Sequence, residues 1–250
     1  MALFFALYQQ AGAQIPEIKA AEQGNPNAQL DVGIAYFEGV GVDTDTIEAI
    51  KWFRRAADQG LAEAQYLIGW AYKTGIGGMP KDAAEAFSWF QKAANQGLAE
   101  AEGALGNAYY FGVGVPQDRA DGVRWLARAA KQGIAEAQVG LGMIYSEGNQ
   151  DVKRDEAEAV RLFQNAAQQG NVNAQAFLAV AFLQGKGVPK DYKKAYFFAI
   201  LAASDQHPNK TKLRNQIAGL LDTATRKSVE KEASEWKPKL NRRSRLRSYS

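Results

Sequence analysis

Residues 101 to 133 read AEGALGNAYYFGVGVPQDRADGVRWLARAAKQG, and this stretch decides the fold. Ala101, Leu105 and Tyr109 stand four residues apart, which places them on one face of a helix. Gly112 is placed to end that helix in the left-handed cap that glycine tolerates best. After Pro116, Asp118 can accept hydrogen bonds from the free amides of a second helix and oppose its dipole. The second helix carries Gly122, Trp125 and the pair Ala129-Ala130 on one stripe, and Gly133 closes it.

The same text recurs on both sides. The closing glycines of AAEQG, AADQG, AANQG, AAKQG and AAQQG are Gly24, Gly60, Gly97, Gly133 and Gly170, spaced by 36, 37, 36 and 37 residues. A sixth copy, AASDQ, puts Gln206 in the glycine slot. A period of this length signals stacked helical repeats rather than two conventional domains. The first helix of each unit (helix A) repeats an alanine column, an aliphatic column and the aromatic column Tyr36, Tyr72, Tyr109, Tyr145 and Phe182. Beside the aliphatic sits Gly33, Gly69, Gly106, Gly142 or Ala179, and glycine within a helix costs about 1 kcal/mol, so a packing reason is required. The second helix (helix B) follows an aspartate at 45, 82, 118, 155 or 191 and carries Trp52, Trp89, Trp125, Leu162 or Phe198 as its bulky residue. The spacing predicts interhelical packing for these aromatics rather than an aromatic ligand box. The linkers Gly75 to Asp82 and Gly148 to Asp155 are one residue longer than the others.

The composition narrows the chemistry. The 250 residues hold no cysteine, a single histidine (His207), and 30 basic against 27 acidic side chains. No disulfide, thiolate nucleophile or sulfur-bound zinc is available, and one histidine leaves little for metal or acid-base work. The GxG pieces follow helices rather than strands and lack a third glycine, so they read as turns and not as nucleotide loops. Carboxylate pairs such as Asp43 with Asp45, or Asp151 with Asp155, sit where helices start and read as caps. No catalytic residue, metal site or cofactor is expected.

The repeat pattern resembles the Sel-one-like repeat, a relative of the tetratricopeptide repeat, over residues 24 to 206. The resemblance implies an all-α, right-handed α-solenoid of about five helix-turn-helix units of 36 to 37 residues that acts as a protein-interaction scaffold, commonly in bacteria outside the cytoplasm. Residues 147 to 155, EGNQDVKRD, depart from the pattern by lacking the second glycine and the proline. Many bacterial members pair cysteines across their helices; this chain cannot.

The ends differ from the middle. Residues 207 to 240 keep helical periodicity without the repeat and are expected to form a capping helix pair, and 241 to 250 to form a basic disordered tail. The formal charge of +3 divides into −4 over residues 1 to 204 and +7 over 205 to 250. Residues 1 to 23 open with the apolar run ALFFALY followed by Ala11-Gly12-Ala13, which suits either a trimmed export signal or an extra helix closing the first unit. Export to the periplasm is the expectation, with a cytoplasmic location as its alternative.

If the A helices line the inner wall, their positions outside the repeat pattern face a partner. These are Leu30, Ile34, Phe37, Tyr66, Trp70, Tyr110, Phe111, Met143, Val180 and Leu183, flanked by Glu38, Glu63, Glu100, Glu136 and Glu147. An apolar set on a surface that the repeat does not need marks an interaction site, although curvature can hide some of it between neighbouring A helices. The expected partner is a protein segment with apolar anchors and basic charge. Proteins similar to this one include immunity partners of lipase effectors of type VI secretion systems, which makes toxin neutralisation one expectation. The alternative is an adaptor that binds nucleic acid or anionic membrane through Lys237, Lys239, Arg242, Arg243, Arg245 and Arg247.

Overall fold

A computed structural model of the chain describes residues 17 to 205 and 207 to 239. The readings made above for residues 1 to 16, Gln206 and the tail from 240 onward lie outside the described residues. Among the described residues the regular structure is entirely helical, with thirteen α-helices and two short 3-10 turns. After α1 (Ile18–Glu22), the A helices are α2 (Pro26–Glu38), α4 (Ala62–Thr74), α6 (Ala99–Phe111), α8 (Ala135–Glu147) and α10 (Val172–Gln184). The B helices are α3 (Thr46–Asp58), α5 (Ala83–Asn95), α7 (Arg119–Lys131), α9 (Glu156–Gln168) and α11 (Tyr192–Ala202), and α12 (Pro208–Ala218) and α13 (Thr223–Glu235) follow. The chain divides into two compact units, Met1–Gly122 and Val123–Ser250, each taken by itself below.

The punctuation acts as the sequence predicts. Asp45, Asp82, Asp118, Asp155 and Asp191 each accept a backbone N–H from the first turn of their helix B, at 2.9 to 3.0 Å. Helix A ends on a left-handed glycine at Gly39, Gly75, Gly112 and Gly185. The fourth repeat differs: Gly148 adopts φ 66°, ψ 167°, and the side chain of Asn149 accepts from the amides of Asp151 and Val152. That turn takes up the missing glycine and proline of this linker, and it folds Val152 into the core. In the other long linker the extra residue goes into the 3-10 turn Ile76–Gly78.

The closing glycines of the AAxQG copies all have positive φ, from 84° to 95°. After each, the next residue's N–H reaches back to the first alanine of the pair, as from Leu61 to Ala56 (3.2 Å) and from Asn171 to Ala166 (3.2 Å). This is the six-to-one closure that lets the chain turn sharply into the next helix A.

In three repeats the glycine beside the aliphatic has a concrete packing reason. A Cβ on Gly33 would stand 2.5 Å from the Phe53 ring, one on Gly69 2.8 Å from Phe90, and one on Gly142 2.7 Å from Phe163. The ring that presses on the glycine is thus the residue after the bulky column, a feature the sequence reading passed over. In the fifth repeat Ala179 and Ala199 occupy the two positions, and both are fully buried.

A second feature, invisible in the hydrophobic pattern, is a ladder of buried amides. Gln29, Gln65, Gln138 and Gln175 follow the alanine column and are at most 6% exposed. Each donates Nε2 to the last-turn carbonyl of the preceding helix: Ala21 at 3.1 Å, Ala57 at 3.3 Å, Ala130 at 3.0 Å and Ala167 at 3.4 Å. The glutamine of the AAxQG anchor then donates to the ladder from the following helix B, Gln59 to Gln29 at 2.7 Å, Gln96 to Gln65 at 2.8 Å and Gln169 to Gln138 at 3.1 Å. In the third repeat the ladder position holds Glu102, 1% exposed.

The expected cap is present. Helices α12 and α13 pack on α11 and bury Ile217, Val229 and Ala233, while most of their other residues face solvent. The buried Tyr196 of α11 donates its hydroxyl to Glu230 of α13 at 2.8 Å. His207 is the N-cap of α12, its Nδ1 accepting from the Asn209 amide at 3.3 Å.

Candidate functional site

The candidate face is carried by the A helices, whose outward positions are fixed by the same 3.6-residue period that buries the repeat columns. In the first unit, Phe37 of α2 and Trp70 of α4 meet edge to face with ring centroids 6.0 Å apart, so candidate positions on successive A helices do meet. Tyr110 and Phe111 of α6 form a second edge-to-face pair at 5.0 Å, with Phe111 66% exposed. Ile34, Phe37, Trp70 and Tyr110 are half-buried. In the second unit Met143 is exposed and Val180 and Leu183 are half-buried.

Two of the expected surface residues are core residues. Leu30 is 1% exposed, and Tyr66 is 6% exposed with its ring 5.6 Å from that of Phe90. The reason is lateral. Positions three or four residues from a buried column face the adjoining helices, and a single helix's period does not tell that direction from solvent. The flanking carboxylates divide similarly: Glu38, Glu136 and Glu147 are exposed, Glu63 and Glu100 half-buried.

Charge is sorted by helix class. The five A helices hold seven carboxylates (Asp31, Glu38, Glu63, Glu100, Glu102, Glu136 and Glu147) and one base, Lys73. The five B helices hold eleven bases and six acids. Several B-helix cations lie over the aromatic column: Lys92 Nζ is 3.8 Å from the Trp89 ring centroid, and the guanidinium carbons of Arg55 and Arg128 are 4.4 Å from those of Trp52 and Trp125. Trp52 and Trp89 are buried, so these tryptophans serve packing and hold surface cations in place.

Elsewhere the second unit has a cleft of about 820 Å³ between α9, α11 and α13. Phe197, Phe198, Val229 and Trp236 line it, with Lys193 and Lys194 facing Asp191 and Glu232 at its walls. Lys194 Nζ is 3.7 Å from the Asp191 carboxylate. Among the described residues no three His, Cys, Asp or Glu side chains converge as metal ligands, and no helix is long and apolar enough to cross a membrane.

Comparison with known proteins agrees with this architecture. The Sel1 repeat family model matches residues 26–61, 62–98, 99–134, 135–171 and 172–207. A crystal structure of c5321, a protective antigen of uropathogenic Escherichia coli with an SLR fold, is 32% identical with a TM-score of 0.79, over 88% of this chain and 47% of that one. A Sel1 repeat protein from Oxalobacter formigenes is 34% identical with a TM-score of 0.71, over 85% of this chain and 88% of that one. Among curated proteins, HRD3A of Arabidopsis thaliana, an ERAD-associated E3 ubiquitin-protein ligase component, is 36% identical over 59 residues, 24% of this chain and 9% of that protein. The chain therefore spans less than half the length of both the E. coli antigen and HRD3A. Five consecutive matches, the observed two-helix units and the shared repeat geometry lead to one conclusion: this chain belongs to the Sel1 repeat family.

Proposed function

We propose that the chain is a non-enzymatic scaffold that binds a segment of a partner protein on its helix-A face. The carrying observation is that one helix class combines six carboxylates outside the core and a single lysine with the exposed Phe111 and Met143 and the Phe37–Trp70 pair. Such a face selects a partner segment with apolar anchors set among Lys and Arg, and its charge steers the encounter. Neutralisation of a secreted toxin, a type VI secretion lipase effector being one candidate, is the biological form of binding that the family resemblance supports.

The test is affinity capture with the tagged full chain from its native cell, in parallel with Phe111→Ala and Trp70→Ala. Phe111→Ala removes an exposed ring, so the melting temperature should stay within about 2 °C while capture falls at least about tenfold, the loss of one anchor worth 1.4 kcal/mol or more. Trp70→Ala should also lose capture, at some cost in stability because its ring packs on Phe37. Undiminished capture by both variants would overturn the helix-A assignment. If the captured protein is a toxin, co-expression of the wild-type chain but not of Phe111→Ala should protect the cell.

A further inference from the structure

We infer that the cleft between α9, α11 and α13 is a second, peptide-binding site, which takes a short extended segment of a partner protein whose aromatic residue stands between an acid and a base. The site is built by B helices and the cap of the second unit, and it does not rest on the helix-A reading above. A missing ring, two unpaired charges and the width of the cleft support it.

In each repeat the bulky residue of helix B stands seven residues after the capping aspartate, as Trp52 does after Asp45 and Phe198 after Asp191. Helix α13 keeps the cap, with Asp222 accepting from the Thr225 amide at 2.8 Å, but its seventh place holds only Val229. The preceding column is left partly uncovered. Trp52, Trp89 and Leu162 are buried, whereas Phe198 is half-buried and lines the cleft with Phe197 and Val229. The cleft of about 820 Å³ thus opens where a sixth ring of the series would have stood, and its volume is that of a ligand site. Its floor suits an aromatic side chain: Phe198 meets Phe197 edge to face at 5.3 Å and stacks on Phe182 at 5.8 Å.

The charges at the walls set what flanks that side chain. Lys194 pairs with Asp191 at 3.7 Å, while Lys193 of α11 and Glu232 of α13 are exposed and form no ion pair with another described residue. One free cation and one free carboxylate, on different helices, complement one acid and one base. Helices α11 and α13 pack against each other, and the axes of packed helices lie about 10 Å apart, a width that three extended residues of about 3.3 Å each cross. Alternation along an extended segment sends the central side chain one way and its two neighbours the other. An aromatic residue directed to the ring floor therefore leaves its flanking acid and base at the rims, toward Lys193 and Glu232.

The test uses the full-length chain and two end-capped, fluorescently labelled peptides, Gly-Glu-Trp-Arg-Gly and its reverse order Gly-Arg-Trp-Glu-Gly, with binding read by anisotropy. One order should bind at least about tenfold more tightly than the same peptide with alanine for tryptophan, the loss expected for a buried anchor. Val229→Trp restores the ring of the earlier repeats, so it should weaken binding at least about tenfold without lowering the melting temperature. Lys193→Glu combined with Glu232→Lys should exchange which of the two orders binds better. Because that exchange touches only exposed side chains, it decides the matter even where Val229→Trp disturbs the fold. The inference is overturned if neither order outbinds its alanine control, if a folded Val229→Trp binds as well as the wild type, or if the charge exchange leaves the preferred order unchanged.

Discussion

Glu102 shows how far one atom can matter in a repeat. Four repeats place a glutamine here, whose nitrogen donates to a helix-terminal carbonyl and whose oxygen, in three of them, accepts from the anchor glutamine after the following helix B. A glutamate offers oxygen at both places, in a site 1% exposed to solvent. Glu102→Gln supplies the amide N–H, and we expect it to raise stability by about 1 kcal/mol and the melting temperature by about 2 to 4 °C. Thermal unfolding followed by circular dichroism checks this, and an unchanged or lower midpoint would show that the third rung is already satisfied in another way. The opposite sign is expected at Gly187, where φ is 69° and a Cβ would lie 2.2 Å from the Glu156 carbonyl oxygen. Backbone cannot yield as a side-chain tip can, so Gly187→Ala should cost at least about 2 kcal/mol and depress the same midpoint by several degrees.

Among the elements, the helix α13 is tied to α11 by a polar contact as well as by its buried Val229 and Ala233. The Tyr196 phenol is held above its ordinary range, chiefly because it is buried and then because it donates to Glu230. The folded state thus favours the protonated phenol. The unfolded chain releases this proton first as pH passes about 10, so the stabilisation is whole below that point and declines as pH rises through the folded value. Tyr196→Phe should start about 1 kcal/mol less stable at pH 8 and then lose less than the wild type on going to strongly alkaline solution. Urea denaturation at a series of alkaline pH values measures both arms, and parallel curves would disprove the coupling. The linkers make a complementary point. The fourth lacks the second glycine of the others, yet Asn149 rebuilds a turn with its side chain, and Val152 stays buried.

For the molecule as a whole, repetition made most of the fold legible. Gly39 alone is a weak helix stop, but a glycine at that place in five units, each followed by an aspartate, admits few other readings. The same multiplication exposed the helix-A face, and it failed for Leu30 and Tyr66 because a helix's own period does not record which side its neighbour takes. The glutamine ladder went unread for a different reason: glutamine ordinarily signals surface, and only its recurrence beside a buried alanine could have marked it as interior. The sorting of acid onto A helices and base onto B helices was present in the text all along, but it emerges only when residues are grouped by helix rather than by domain.

The ladder also bears on how such a chain can change length. In each complete rung the donor comes from the following helix B and the final acceptor is a carbonyl of the preceding one, beginning at Ala21 of α1. Duplicating or deleting one whole repeat keeps every glutamine facing an equivalent helix-B carbonyl and anchor glutamine and strands no buried amide, whereas adding or removing part of a repeat would. Growth and shrinkage by whole repeats is then the permitted currency of divergence. The short helix α1 becomes the foundation stone of that series, since removing it would leave Gln29 with nothing beneath it.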